Sequence, residues 1–106
     1  MDLSVFMKKF SGIEWINGDK EWYKDGQLHR DDGPAIEYVN GCKFWYKEGK
    51  EHRVDGPAKE WFNGRKEYWF EGKLHREDGP AIEFHNGEKE YWLEGKKVSE
   101  YDINIR

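Results

Sequence analysis

The sequence predicts an all-β protein: a single-layer antiparallel meander, or β-solenoid, of four 23-residue hairpin repeats with short capping termini. Three observations predict it. Asn-Gly pairs recur every 23 residues, beginning at Asn17, Asn40, Asn63 and Asn86. Gly-Pro-Ala recurs with the same period from Gly33, Gly56 and Gly79. Six Trp, six Tyr and six Phe supply rings that each bury about 150–250 Å², so an aromatic layer can replace an aliphatic core.

The 106 residues are enough for one repeat domain and no more. The period divides the chain into an N-terminal cap (1–12), four repeats (13–35, 36–58, 59–81 and 82–98) and a C-terminal cap (99–106). Apolar residues at helical spacing predict a short amphipathic helix in the first cap, with Leu3, Phe6, Met7 and Phe10 on one side. Ser99 followed by Asp102 has capping-box-like spacing and predicts a terminal turn or helix over 99–103.

Each repeat reads as a hairpin followed by a long turn. Asn40-Gly41 separates two alternating runs, 35–39 and 42–47, and both central residues of a type I′ turn need positive φ. Residues 48–57 are expected to carry the chain to the next hairpin, so that eight strands form the meander. Proline opens each following strand, where its missing N–H costs little.

Strand alternation assigns the large side chains to faces. In the first strand of each repeat, one face is expected to hold Trp15, Tyr38, Trp61 and Phe84, and the other Glu14, Glu37, Glu60 and Glu83. The second strand has rings on both faces, and the expected packed row is Trp22, Trp45, Tyr68 and Tyr91. The row expected to be partly exposed, and so a candidate for partner binding, is Tyr23, Tyr46, Trp69 and Trp92, beside Glu21, Glu67 and Glu90.

A His-Arg-x-Asp turn occurs three times and is expected to be structural. Its predicted ion pairs join Arg30 to Asp32, Arg53 to Asp55 and Arg76 to Asp78. Equivalent histidines are expected about 10 Å apart, because each repeat adds two strands at about 4.8 Å, which is too far for a shared zinc ion. No metal or other cofactor is therefore expected.

Composition and motifs exclude several functional classes. There are 18 Lys and Arg against 22 Asp and Glu, giving a net charge of −4, so general nucleic-acid binding is not expected. No apolar stretch is long enough for a transmembrane helix, and no leader pattern is visible. Cys42 is the single cysteine, so a reducing cytoplasm is expected. No nucleophile, phosphate-loop or zinc-protease motif occurs, and the glutamates recur once per repeat rather than as one catalytic pair, so an enzyme is not expected.

The 23-residue period, the paired strands and the regularly spaced glycines at the turns resemble those of MORN-repeat proteins. The segment Leu-His-Arg-Glu-Asp-Gly-Pro-Ala at 74–81 is similar to a MORN-like variant seen in uncharacterised phage, large-virus and bacterial proteins. The resemblance implies this fold and a binding role without a catalytic residue. Trp/Tyr pairs and the His-Arg-x-Asp turn replace the usual glycine-rich second half, so the membrane and phosphoinositide roles of some MORN proteins are not carried over.

Three functional hypotheses follow. The first is a non-catalytic protein-binding module, including a phage or viral factor that inhibits a host defence protein in the host cytoplasm. The second is a protein that sequesters a small ligand or nucleotide with its Arg and aromatic rows. The third is a self-associating structural element, so the chain is expected to be a monomer or a homodimer.

Overall fold

The computed structural model describes residues 11–104, which form an all-β fold with a short helix at the C-terminal end. This confirms the all-β part of the predicted fold class. The predicted helix around Leu3 and Phe10 lies outside the described residues. The elements are β1 (Gly12–Ile16), β2 (Asp19–Lys24), β3 (Gln27–Leu28), β4 (Ile36–Glu37), β5 (Lys43–Phe44), β6 (Tyr46–Lys47), β7 (Lys50–Glu51), β8 (Lys59–Glu60), β9 (Lys66–Glu67), β10 (Trp69–Phe70), β11 (Lys73–Leu74), β12 (Ile82–Glu83), β13 (Lys89–Leu93), β14 (Lys96–Val98) and α1 (Glu100–Asn104).

One ten-stranded antiparallel sheet dominates the fold, in the order β1-β2-β4-β5-β8-β9-β12-β13-β14, with β3 paired to β2. Two further two-stranded sheets, β6-β7 and β10-β11, lie off this path. The molecule is elongated, with extents of 53 × 26 × 22 Å.

The expectation of eight continuous strands was wrong, because the second strand of each hairpin changes its partner partway along. At Trp45, the backbone N–H donates to the carbonyl of Ala58 at 2.7 Å, while the carbonyl accepts from His52 N–H at 3.1 Å. Residues before Trp45 therefore pair within the large sheet, and residues after it pair with the returning strand β7. The same exchange occurs at Trp22 and Tyr68.

The segment expected to be a long turn begins with a second hairpin. In each repeat an acidic residue at positive φ precedes a glycine at positive φ, as in Glu48 (49°) and Gly49 (80°). Two consecutive residues at positive φ form a type I′ turn, whose twist matches that of the strands it joins. The other three turns of this kind are Asp25-Gly26, Glu71-Gly72 and Glu94-Gly95.

The Asn-Gly turns are two-residue type I′ turns only in the first repeat, where Asn17 and Gly18 have φ of 51° and 89°. The later three Asn-Gly pairs also join the two strands of a hairpin, but the prediction of a type I′ turn was wrong for them. There Gly41 N–H donates to the carbonyl of Tyr38 at 3.0 Å and Tyr38 N–H to that of Cys42 at 2.9 Å, which closes a three-residue loop. The Asn40 side chain accepts from Cys42 N–H at 3.0 Å and stabilises this longer loop.

The different loops change the register by one residue. Ile13 pairs with Trp22, whereas the equivalent Ile36 pairs with Phe44 rather than with Trp45. A shift of one residue moves a side chain to the opposite face of a sheet. Trp15 therefore lies on the face opposite Tyr38, Trp61 and Phe84, and the predicted common face for the four rings was wrong.

The buried core is thin. Its apolar members are Ala35, Ile36, Cys42, Ala58, Ala81, Ile82 and Ile103, and no large side chain in residues 11–104 is fully buried. Helix α1 closes the C-terminal end and begins after Ser99, whose N–H and hydroxyl both contact Asp102 Oδ2, at 2.9 and 3.0 Å. This confirms the predicted C-terminal helix. With so little apolar burial, the fold depends on polar contacts between repeats.

We expect Glu71→Asn to stabilise the protein by about 1 kcal/mol, since Asn tolerates positive φ better than Glu does. Glu71 has φ of 48° and an exposed side chain, so the exchange removes no packing. Glu88→Asn is the matched control, because Glu88 is also exposed but is not among the residues with positive φ. Urea denaturation that gives equal free energies of unfolding for the two variants would contradict the turn assignment.

Candidate interaction surfaces

A four-way contact surrounds each arginine of the His-Arg-x-Asp turns, and we call it the arginine knot. Arg53 Nε donates to Asp55 at 3.1 Å, and Nη1 donates to the carbonyl of Pro57 at 3.1 Å and to Glu60 at 2.9 Å. The guanidinium carbon lies 3.8 Å from the ring centre of Trp45. Equivalent knots centre on Arg30, with Asp32, Pro34, Glu37 and Trp22, and on Arg76, with Asp78, Pro80, Glu83 and Tyr68.

The predicted Arg–Asp pairs are present, but sequence reasoning missed the ring and the glutamate. The glutamate lies seven residues after the arginine in all three knots, a spacing that was visible in the sequence. Glu37, Glu60 and Glu83 are therefore ion-paired rather than a solvated row. The packing also explains Gly56, because a Cβ there would lie 3.0 Å from the Arg53 guanidinium carbon.

The histidines join neighbouring repeats. His52 Nδ1 accepts a hydrogen bond from the backbone N–H of Glu71 at 3.0 Å, and His29 and His75 do the same for Glu48 and Glu94 at 2.9 Å. Each therefore fixes the acidic-Gly turn of the next repeat. The described part of the chain contains no group of three or more side chains suited to a metal ion.

The face opposite the arginine knots, which we call the ring face, brings together most of the predicted partner-binding residues. Tyr23 donates to Glu21 at 3.2 Å, Trp69 Nε1 to Glu67 at 2.8 Å, and Trp92 Nε1 to Glu90 at 3.1 Å. Tyr46 lies opposite Glu51 in the β6-β7 hairpin.

Burial does not divide the second-strand rings into a packed row and an exposed row. All eight rings are half-buried, and the rows differ in their partners: guanidinium groups on one face, carboxylates on the other. Glu67 is only 5% exposed and also accepts from Arg65 at 2.6 Å, so its carboxylate is committed within the fold rather than available beside an exposed ring.

The middle of the ring face is filled by the protein's own cations. The Lys59 ammonium lies 5.1 Å from the ring centre of Trp69 and 6.0 Å from that of Trp61, and 3.6 Å from the Glu51 carboxylate. The Arg65 guanidinium lies about 5 Å from the rings of both Trp61 and Phe84. A partner's cation would have to displace these contacts.

Burial raises the pKa of Tyr23 to about 12, together with the charge and hydrogen bond of Glu21. The pKa values of Tyr38 and Tyr46 are also raised, chiefly by burial and then by the nearby carboxylates of Glu21 and Glu51. Partial burial, with Glu21 and Glu51 nearby, therefore keeps these phenols protonated to higher pH than free tyrosine.

A row of exposed apolar side chains follows the tips of the Asn-Gly loops, and we call it the tip ridge. It consists of Ile16, Val39 and Phe62, which are 50%, 77% and 69% exposed. All three precede Asn-Gly in the sequence, but only Val39 and Phe62 occupy the same position in three-residue loops, since Ile16 precedes the two-residue turn. A Cβ on Gly18 would lie 3.6 Å from Val39, and one on Gly41 would lie 3.7 Å from Phe62, so Val39 and Phe62 each lie against the preceding Asn-Gly turn. Sequence reasoning missed this row, although its signal was three apolar residues immediately before Asn-Gly.

Two open grooves lie between successive His-Arg-x-Asp turns, and we call them the turn grooves. The larger has a volume of 730 Å³ and lies between the turns of Arg53 and Arg76, over Tyr68 and Phe70. The other has a volume of 690 Å³ and lies between the turns of Arg30 and Arg53. Val54 lines both grooves.

No helix within residues 11–104 is long and apolar enough to cross a membrane. Comparisons with protein-family models, with curated proteins and with solved structures found no match to the chain.

We expect Arg53→Ala to lower the free energy of unfolding by about 2–3 kcal/mol, because it removes charge-assisted hydrogen bonds to Asp55 and Glu60 and the contact with Trp45. Arg53→Lys should lose most of the same amount, since an ammonium group cannot reproduce the planar fork. The control is Lys50→Ala, at an exposed side chain, with a change below about 0.5 kcal/mol. Equal effects of Arg53→Ala and Lys50→Ala in urea titrations would contradict the knot.

The raised pKa of Tyr23 predicts a loss of stability in alkali. The unfolded phenol loses its proton near pH 10, the folded one near pH 12, so proton loss in this interval favours the unfolded chain. The stabilisation is complete below about pH 10 and is lost as the pH rises through about 12. Chemical denaturation between pH 9 and 12 should show a shallower decrease for Tyr23→Phe than for the wild type, and an identical decrease would rule out this environment.

Proposed function

We propose that the chain is a non-catalytic protein-binding module built as a solenoid of MORN-like repeats, and that the tip ridge is its contact surface. The observation that carries the proposal is the exposure of Ile16, Val39 and Phe62 along one side of the molecule. Large apolar side chains at loop tips contribute little to the fold, whereas aligned exposed apolar residues are typical of protein interfaces.

Recurrence of the contacts supports the repeat architecture. The arginine knot, the histidine link and the acidic-Gly turn each return at 23-residue intervals with nearly the same distances. The equivalent loops of Val39 and Phe62 then hold these two ridge residues about 10 Å apart, because each repeat adds two strands at about 4.8 Å. Such preorganisation lowers the entropic cost of binding.

Contacts of the arginines weigh against nucleotide sequestration. In all three knots Nε and Nη1 are occupied by Asp, Glu and a carbonyl, and the guanidinium lies over a ring of the chain itself. A phosphate would have to displace carboxylates from these positions. The partner's identity decides whether the module inhibits a host defence protein, which is the sequence-based hypothesis.

Self-association is the second candidate, since an exposed apolar ridge also suits a second copy of the chain. Sedimentation velocity separates the two. If the wild-type protein is a dimer and Phe62→Lys is a monomer, the tip ridge is the surface of self-association. If the wild-type protein and the variant are both monomers, the tip ridge remains available to a different partner.

For a partner recovered by affinity capture and then purified, Phe62→Lys should weaken binding at least about 30-fold, the loss expected for a hot spot of about 2 kcal/mol. The free energy of unfolding should change by less than about 0.5 kcal/mol, because Phe62 is 69% exposed.

Tyr101→Lys is the matched control for Phe62→Lys, since Tyr101 is also an aromatic residue, is 77% exposed and lies in helix α1 rather than in an Asn-Gly loop. Calorimetric titration should give the control the wild-type affinity. Equal affinities for all three proteins would remove the tip ridge from the interface.

A further inference from the structure

The turn grooves are a second surface with a chemistry of its own. Their floors contain rings, Tyr68 and Phe70 in one and Trp45 in the other, and their walls are the successive His-Arg-x-Asp turns. Grooves of about 700 Å³ are large enough for a long side chain together with part of a peptide backbone.

The rim of the grooves presents negative charge to solvent. Asp55 and Asp78 use Oδ1 to bind their arginines and remain 85% and 88% exposed, and Glu77 is 68% exposed. The arginines of the walls, Arg53 and Arg76, are each paired with an Asp and a Glu. Lys47 also lines the smaller groove, where it is outnumbered by Asp31, Asp32 and Asp55. The rim carboxylates therefore attract an incoming cation and repel an incoming anion.

The two grooves are equivalent and lie one repeat apart, which is about 10 Å along the sheet. A polyproline II segment rises about 3.1 Å per residue and has three residues per turn, so residues i and i+3 lie on one side about 9 Å apart. An extended β-strand does not match, because its residues i and i+3 face opposite sides.

We propose that the turn grooves bind a basic segment in the polyproline II conformation, with Lys or Arg at every third residue. One cationic side chain enters each groove, and its charge contacts the rim carboxylates. Its methylene stem packs beside the guanidinium that already covers Trp45 or Tyr68, and in the larger groove it also reaches Phe70, which is 42% exposed. This proposal uses surfaces distinct from the tip ridge and does not depend on it.

Two peptides of the same composition test the proposal. One is four Lys-Pro-Pro triplets and the other has its four lysines adjacent, followed by eight prolines, so their charges are equal and only the lysine spacing differs. The triplet peptide should bind the wild-type protein at least about tenfold more tightly in fluorescence-polarisation titrations at low salt. Equal affinities, or no binding of either peptide, would overturn the proposal.

Val54→Lys is the decisive variant, because Val54 lines both grooves and is 81% exposed. A lysine at this position repels the lysines of the peptide in both grooves, and it should weaken the binding of the triplet peptide at least about tenfold. Tyr101→Lys adds the same charge in helix α1, outside the turn grooves and the tip ridge, and should leave peptide affinity unchanged, since Tyr101 is 77% exposed. Thermal denaturation checks that both variants fold. If the folded Val54→Lys protein binds the triplet peptide with wild-type affinity, the proposal for the turn grooves is wrong, while the proposal for the tip ridge is unaffected.

Discussion

The arginine knot is the interaction on which the rest of the structure depends. One guanidinium joins a turn carboxylate, a proline carbonyl, a strand glutamate and a ring of the second strand, so it ties the turn to the sheet. Within residues 11–104 the buried apolar residues are mostly alanines and isoleucines, and these are too few to do this alone. Charge-assisted bonds under partial cover are stronger than exposed ion pairs, and the ring supplies that cover. The knots therefore take over part of the role that an aliphatic core has elsewhere.

The histidine links extend this local connection into a row. Because His52 accepts the N–H of Glu71, the shape of one turn depends on the repeat before it. The acidic residue of each such turn has positive φ, which costs energy for a residue with a Cβ. That strain persists because both the turn twist and the histidine bond require the conformation. Each 23-residue segment thus stabilises the one beside it.

Sequence reasoning predicted the period, the fold class and the Arg–Asp pairs, because each depends on residues close together in the chain. It did not predict the Glu60 contact or the partner exchange at Trp45, since both depend on how successive repeats pack. The loop at Asn40-Gly41 shows the same limit. A two-residue turn and a three-residue loop accept the same sequence, and a shift of one residue then exchanged the predicted faces of Trp15 and Glu14. The exposure of Val39 and Val54 was not predicted, because how far a loop residue is covered depends on how neighbouring loops pack.

Positions that repeat and positions that vary have different roles in this chain. Gly, Pro, Asp, Arg and His recur where backbone geometry or the knot requires them, which leaves little freedom for recognition. The residue before Asn-Gly varies, being Ile16, Val39, Phe62 and His85, and so does the residue after His-Arg, being Asp31, Val54 and Glu77. Both sets are exposed, and within the second set Asp31 and Glu77 contact the histidine two residues before them, whereas Val54 replaces the carboxylate with an apolar side chain. Because the repeated positions supply most of the stability, substitutions at these variable surface positions change the free energy of unfolding little. The variable positions lie on the tip ridge and in the turn grooves, so substitutions there alter binding without altering the fold.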